Sequence, residues 1–291
     1  MKVGLTLSNQ SRVLVIQDIS ASCRISMNVA VPILSCLNNE VNVLPTALLS
    51  THTTSGFTDY TYLDLTDESD KILNHWKQLD ISFDGMLVGY LGSVHQIEIV
   101  QYVLDNLLEE DGKFILDPVM GDNGQLYDGF DDDYVDRIKG LCKQATVILP
   151  NITEAAYLTD FHQDFDNREN INSLLKKVAD LSQSTAVITG VTDGEDVMGA
   201  LSYDLSSETL RYESGPYYPG HFEGSGDLFS SVVAGFIFNQ KSIHEAMRLA
   251  VNYVNKSIYR TSQLPKDRWR YGVQFETDLP YLMSNLYGGT S

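Results

Sequence analysis

Residues 224–229 read Gly224-Ser225-Gly226-Asp227-Leu228-Phe229. The two glycines, one residue apart, lack the Cβ that would stop the backbone from turning tightly or approaching a ligand. Behind them Leu228, Phe229, Val232, Val233, Phe236 and Ile237 recur at helical spacing, which predicts a buried helix from Asp227 to about Phe238. A glycine turn that opens a helix aims amide N–H groups and the positive end of the helix dipole at one point, which suits a phosphate. Asp227 places a carboxylate beside that point. The pairing suits phosphoryl transfer to an alcohol, with the acid meeting a hydroxyl where a phosphoryl group arrives. The same residues also make a plain helix cap, and short glycine motifs recur widely. The helix terminus is expected to lower the carboxyl pKa.

Two further acidic groups have suggestive spacing. Asp117-Pro118-Val119-Met120-Gly121-Asp122 follows a strand pattern, with Pro118 ending the strand and Gly121 allowing a tight turn between two carboxylates. In Asn151-Ile152-Thr153-Glu154 the three-residue spacing puts Asn151 and Glu154 on one side of a helix's first turn. Asp117, Asp122 and Glu154 are a candidate Mg²⁺ set acting mostly through water, since Mg²⁺ gives up its hydration reluctantly. Asn151 and Glu154 also fit a capping box, and the two readings are compatible. His52 and His221 are flanked by small or turn residues. The sequence has no His-Glu-x-x-His, Gly-x-Ser-x-Gly, P-loop or Gly-x-Gly-x-x-Gly pattern, which weakens metalloprotease, esterase, P-loop and dinucleotide-dehydrogenase readings.

The elements that must position these groups alternate β then α. Strands are predicted at Val13–Gln17, Val41–Leu44, Met86–Gly89, Phe114–Asp117, Thr146–Leu149 and Ala186–Thr189. Helices are predicted at Ser26–Leu37, Asp67–Leu79 (with Ile72, His75, Trp76 and Leu79 on one face), Ser93–Leu108, Asp133–Cys142, Thr153–Leu158 and Asn170–Leu181. An antiparallel pair, Met198–Tyr203 and Thr209–Ser214, precedes three helices, Asp227–Phe238, Ile243–Arg260 and Gln274–Leu286. This order implies a mainly parallel sheet with helices on both faces. Ligands of such sheets bind beyond the carboxyl ends of the strands. There this chain carries Asp18, Thr46, Tyr90, Asp117, Asn151 and Thr189.

With 291 residues, 43% of them hydrophobic, the chain fits one large α/β domain over residues 1–291. No run of about 18 apolar residues suggests a membrane span, and Met1 to Gln10 lacks a leader profile. Cys23, Cys36 and Cys142 form no disulfide framework or zinc pattern and suit a reducing cytoplasm. A net charge of −19 argues against nucleic acid or an anionic membrane as partner. It also leaves backbone amides and Mg²⁺ to supply the positive field that a phosphate needs.

Gly224-Ser225-Gly226-Asp227 resembles the anion-hole and catalytic-aspartate signature of ribokinase-like kinases, and Asn151 to Glu154 resembles their Asn-x-x-Glu magnesium motif. Ile16-Gln17, the run from Leu44 to Thr53, Gly89-Tyr90, Asp117 to Asp122 and Gly224 to Phe229 occur in that order across nearly the whole chain. Together they are most similar to the vitamin B6 kinases of that superfamily. The resemblance implies the three-layer ribokinase-like fold and transfer of the ATP γ-phosphoryl to the 5′-hydroxymethyl of pyridoxal or a related vitamer. It implies Asp227 as base, and Gly224, Ser225 and Gly226 as anion hole. Asp117, Asp122, Asn151 and Glu154 would serve metal and phosphates, with Thr189 near the nucleotide. Asp18, Ala47, Leu49, His52, Thr53 and Tyr90 would bound the vitamer pocket. It also implies a homodimer and leaves a monovalent-cation requirement open. Asp18 stands where that family commonly has Ser, and Ser20 to Asn28 replaces its glycine-rich segment. The competing readings are a hydroxymethylpyrimidine kinase, a non-catalytic vitamer or nucleotide sensor, and a sugar kinase.

Overall fold

The computed structural model describes residues 10–53, 56–165 and 167–287; of the Met1 to Gln10 stretch read above for a leader, all but Gln10 lies outside them. In chain order the elements are β1 (Arg12–Ser20), α1 (Met27–Cys36), β2 (Glu40–Leu49), β3 (Tyr62–Asp64), α2 (Thr66–Gln78), β4 (Phe83–Val88), α3 (Val94–Asn106), β5 (Leu108–Leu116), β6 (Gly121–Asp122), β7 (Gln125–Leu126) and α4 (Asp132–Cys142). There follow β8 (Val147–Ile148), α5 (Ile152–Thr159), α6 (Arg168–Ser182), β9 (Thr185–Thr192), β10 (Val197–Asp204), β11 (Thr209–Pro216), α7 (Ser225–Phe238), α8 (Ile243–Ser262) and α9 (Leu279–Tyr287).

Nine strands form one sheet in the order β11-β10-β9-β8-β5-β4-β1-β2-β3. The six from β9 to β2 are mutually parallel, while β3, β10 and β11 are antiparallel additions at the edges. Val13, Leu14, Val15 and Ile16 of β1 are all fully buried, as expected of a parallel strand covered on both faces. Because successive side chains point to opposite faces, Leu14 and Ile16 join a core with α3, α4 and α6, whereas Val13 and Val15 join one with α1, α7 and α8. This is the expected α/β architecture with helices on both faces. The strand order reverses direction between β1 and β4, and at such a switch the loops leaving adjacent strands diverge and open a crevice. Asp18 and Tyr90 stand at its two sides.

Several local expectations are corrected. Strand β2 runs on from Leu44 through Pro45 to Leu49. The buried face of α2 is Ser69 and Leu73, flanked by Ile72 and Trp76, while His75 and Leu79 are exposed. The predicted Gln274–Leu286 helix is shorter. It is preceded by 3₁₀ turns at Lys266–Tyr271 and Glu276–Asp278, and Pro280, which has no N–H to donate, falls in the first turn of α9. Strand β3 and the β6–β7 hairpin had no sequence signal, being three and two residues long.

Candidate active site

Gly224 is the N-cap of α7, at φ +74° in the left-handed region. A Cβ there would collide with the carbonyl oxygen of Arg24, so glycine is required on two counts. No side chain caps α7; the Ser225 N–H bonds Phe222 O at 3.3 Å, and the amides of Gly226 and Asp227 are the first-turn donors left for an external acceptor. Asp227 lies in that first turn and is partly buried. Its own carbonyl accepts from Ser230 at 3.2 Å and Ser231 at 2.5 Å. The expected lowering of its pKa does not occur. Burial, then the neighbouring acids Asp18 and Glu223, push the carboxyl up to about 7, outweighing the helix terminus and the opposing pull of the Ser26 backbone.

Asp117 follows β5 directly, its N–H bonded to Val88 O at 2.9 Å. Burial and then Asp227 push its carboxyl up to about 7, against a hydrogen bond from Ser230. Asn151 and Glu154 form the full capping box of α5. Glu154 Oε1 accepts from Met120 N–H at 3.1 Å and Oε2 from Asn151 N–H at 2.8 Å. The Asn151 side chain accepts from Glu154 N–H at 2.9 Å and donates to Gly121 O at 2.8 Å. Its amide is thus committed at both ends, and its part is to hold Gly121 and Glu154. Burial and Asp117 raise the Glu154 carboxyl well above its ordinary value. Thr189 sits beside this group, bridged to Asn151 and with its N–H on Pro150 O at 3.0 Å.

Asp117, Asp122 and Glu154 were expected to hold Mg²⁺ mostly through water. Asp122 turns to Asn123, accepting its N–H at 2.8 Å and its side-chain amide at 3.0 Å. Among the described residues no three His, Cys, Asp or Glu side chains cluster as metal ligands. What remains is a hard-oxygen set, Asp117 and Glu154 beside Asp227, whose titrations are shaped by burial and mutual repulsion and by no cationic side chain. Buried negative charge of this kind fits a divalent cation held through its water shell.

The crevice is walled as follows. Opposite Asp18 the β1–β2 register slips between Gln17 and Ile19, and such an irregularity re-aims side chains. Asp18 is 6% exposed and accepts from Ser20 Oγ at 3.0 Å; its carboxyl is raised by burial, with Ser26, Ser20 and His52 opposing the shift. His52 is buried, its Nε2 lies 2.7 Å from Arg270 O, and its ring meets Phe57 edge-on at 4.9 Å. It therefore ties the 3₁₀ segment Lys266–Tyr271 to the pocket. Ala47 and Leu49 are buried on one side of β2, while Thr53 is exposed beyond its end. Tyr90 has its phenol pushed up to about 12 by burial and by Tyr62, Asp18, Tyr60 and Asp64. His221 is exposed and pairs with Glu223 at 3.2 Å, which raises its pKa. Sequence reasoning missed Tyr62; a Cβ on Gly92 would lie 2.9 Å from the Tyr62 hydroxyl. Tyr62 sits on a strand too short to register as a pattern.

A phosphomethylpyrimidine kinase family model matches residues 46–271, well over half of the chain. The chain belongs to that family, within the ribokinase-like superfamily. A structure from this family, a putative phosphomethylpyrimidine kinase of Bacteroides thetaiotaomicron crystallised with pyridoxal, is 34% identical. It covers 94% of this chain and 96% of its own, with a TM-score of 0.86. The pyridoxal kinase of Lactobacillus plantarum is 32% identical over 97% of this chain and 99% of its own, with a TM-score of 0.85. A putative pyridoxal kinase of Schizosaccharomyces pombe is 29% identical over 207 residues, 67% of this chain and 58% of that one. Among the described residues no helix is long and apolar enough to cross a membrane.

Proposed function

We propose that this member of the phosphomethylpyrimidine kinase family is an ATP-dependent pyridoxal kinase that phosphorylates the 5′-hydroxymethyl group of pyridoxal, pyridoxine or pyridoxamine. The observation that carries the reading is the uncapped Gly224 turn with Asp227 in its first helical turn, its pKa near the value a general base needs at neutral pH. The 5′-oxygen attacks the γ-phosphorus, the bond to the ADP oxygen breaks, and the hydroxyl proton passes to Asp227. Because the transition state is loose, that proton leaves late. The amides of Gly226 and Asp227 face the charge that develops on the transferred group, and the Ser225 N–H joins them by leaving Phe222 O. Bound Mg²⁺ supplies charge neutralisation at the phosphates, and Asp117 and Glu154 are the groups that hold its water shell. Thr189 and Asn151 border the nucleotide side. Asp18, Tyr90, Ala47 and Leu49 bound the ring, with His52 behind them and Thr53 at the rim.

Residues 1–291 are read as one kinase domain, supported by a single nine-stranded sheet serving both cores. A homodimer is supported by the exposed edge pair Leu48 and Leu63, 40% and 56% exposed and directly opposed across β2 and β3. Three free cysteines support a reducing cytoplasm.

The competing acceptor is hydroxymethylpyrimidine, the unphosphorylated form of the phosphomethylpyrimidine in the family's name. Side-by-side assays with ATP and Mg²⁺, products identified by mass, separate the readings. Pyridoxal is expected to gain one phosphoryl group with a higher kcat/KM than the pyrimidine. A higher kcat/KM on the pyrimidine reverses the assignment, and binding of both ligands without transfer makes the chain a sensor.

A further inference from the structure

The loop that leaves β4 at the crevice, Tyr90-Leu91-Gly92, is gripped at three consecutive residues by buried side chains from three elements. Thr46 of β2 donates its hydroxyl to Tyr90 O at 3.3 Å. Tyr134 of α4 donates its hydroxyl to Leu91 O at 2.8 Å. Gln96 of α3 accepts the Gly92 N–H at 2.7 Å. Loop backbone of this kind ordinarily runs over the surface and is solvated. Gln96 also departs from what its helix needs. Ser93-Val94-His95-Gln96 has the spacing of a capping box, and Ser93 Oγ accepts the Gln96 N–H at 3.3 Å. The glutamine of such a box returns its oxygen to the N–H of the cap residue itself. Here Oε1 reaches one residue further back, to Gly92, and Nε2 crosses to Thr46 O at 3.1 Å and Thr66 Oγ1 at 2.9 Å. With Gln96 1% exposed, these bonds have no water to replace them. The ring of Tyr90 lies 5.9 Å from that of Phe130, which stacks on Tyr134 at 4.0 Å. Tyr134 therefore supports Tyr90 through both its ring and its backbone.

We propose that Gln96 and Tyr134 are positioning residues: by gripping Gly92 and Leu91 they fix where Tyr90 meets the ring of the acceptor. The inference rests on the kinase reading above, in which Tyr90 bounds that ring. The grip is tight where it matters. A Cβ on Gly92 would lie 2.9 Å from the Tyr62 hydroxyl and 3.6 Å from both Cε1 and the hydroxyl of Tyr90, so a small shift of this backbone drives it into the two tyrosines. On the nucleotide side Asn151 and Thr189 are held by Gly121, Glu154 and Pro150 instead. Loosening the loop thus weakens acceptor binding and leaves the nucleotide side in place.

The test uses Gln96→Met, which keeps the side chain's length and removes its amide, and Tyr134→Phe, which keeps the stack on Phe130 and removes one hydroxyl. In Gln96→Met the KM for pyridoxal is expected to rise about tenfold, the order of one buried hydrogen bond left unmade. In Tyr134→Phe it rises about fivefold on the same ground. In both, the KM for ATP stays within about twofold and kcat within about threefold of wild type. In a Tyr90→Ala background each substitution adds less than about twofold to the pyridoxal KM, because it acts through Tyr90. A wild-type KM for pyridoxal in either variant removes that residue from the role. Equal rises in the two KM values, or full additivity with Tyr90→Ala, overturn the proposal as a merely structural effect. If Gln96→Met does not fold, Tyr134→Phe decides. Amide hydrogen exchange at Gly92 reads the grip without turnover: it is expected to be at least about tenfold faster in Gln96→Met, and an unchanged rate overturns the proposal. If the wild type phosphorylates the pyrimidine and not pyridoxal, the pyridoxal reading fails, and the same series run on the pyrimidine decides the role of both residues by the same criteria.

Discussion

Gly224, at φ +74°, and Gly272, at φ +93°, share one neighbour: a Cβ on either would collide with the carbonyl oxygen of Arg24. The catalytic turn, the loop before α1 and the end of the 3₁₀ segment after α8 thus converge on one carbonyl. Gly224→Ala combines a left-handed φ with a backbone collision that no side-chain movement relieves. It is expected to cost on the order of 1–3 kcal/mol of stability and to lower kcat by more than tenfold by displacing the amides next to Asp227. Thermal melts and steady-state kinetics check both. Wild-type values show that the turn tolerates a Cβ.

Asp227→Asn removes the base while keeping its shape. Turnover is expected to fall on the order of 10²-fold or more, with the KM for ATP little changed. The same variant is expected to melt higher than wild type at pH 8. An ionised Asp227 is held among Asp18, Glu223 and Asp117, and the neutral amide is not. Loss of activity with gain of stability is the signature of a strained functional group. Near-normal turnover takes Asp227 out of the mechanism.

The pH dependence follows in sign. The folded Asp227 carboxyl titrates at about 7, above its ordinary 3.8. The folded protein therefore keeps a proton that the unfolded chain releases, and this group's contribution to stability is lost as pH rises from about 4 through 7. Activity runs the other way, because the base must be ionised. The kcat/KM for pyridoxal is expected to climb as pH rises through about 7 and then level, the limb belonging to the Asp117–Asp227 pair. A profile flat from about pH 5.5 to 8.5 contradicts a base with this pKa.

Most of this fold was legible because a parallel sheet buries both faces. Val13 to Ile16 is a continuous apolar run, and the acidic start of α4 at Asp131 is a cap, its carboxylate accepting Tyr134 N–H at 3.0 Å. The site residues were legible where a local motif carries them: the Gly224 turn, and Asn151 with Glu154. Two things were not. The pKa of Asp227 depends on Asp18 and Glu223, which are brought in by the fold. The place of Asp122 depends on a hairpin in which Asn123 claims its carboxylate.

Asn151→Ala and Glu154→Gln separate capping from charge. Asn151→Ala removes the bonds to Glu154 N–H and Gly121 O and is expected to destabilise by about 1 kcal/mol or somewhat more. Glu154→Gln keeps an acceptor for one amide and removes a negative charge. It is expected to melt at or above the wild-type temperature while needing about tenfold more Mg²⁺ for half-maximal rate, since water-mediated metal sites depend on carboxylate charge. A Mg²⁺ titration unchanged in Glu154→Gln leaves that residue a cap alone.

The most direct measurement is a crystal structure of the protein with a non-hydrolysable ATP analogue, Mg²⁺ and pyridoxal. The terminal phosphate is expected on the amides of Gly226 and Asp227, with the Asp227 carboxylate within about 3.2 Å of the 5′-oxygen. A triphosphate bound away from the Gly224 turn, or a vitamer whose hydroxymethyl points away from Asp227, contradicts the account.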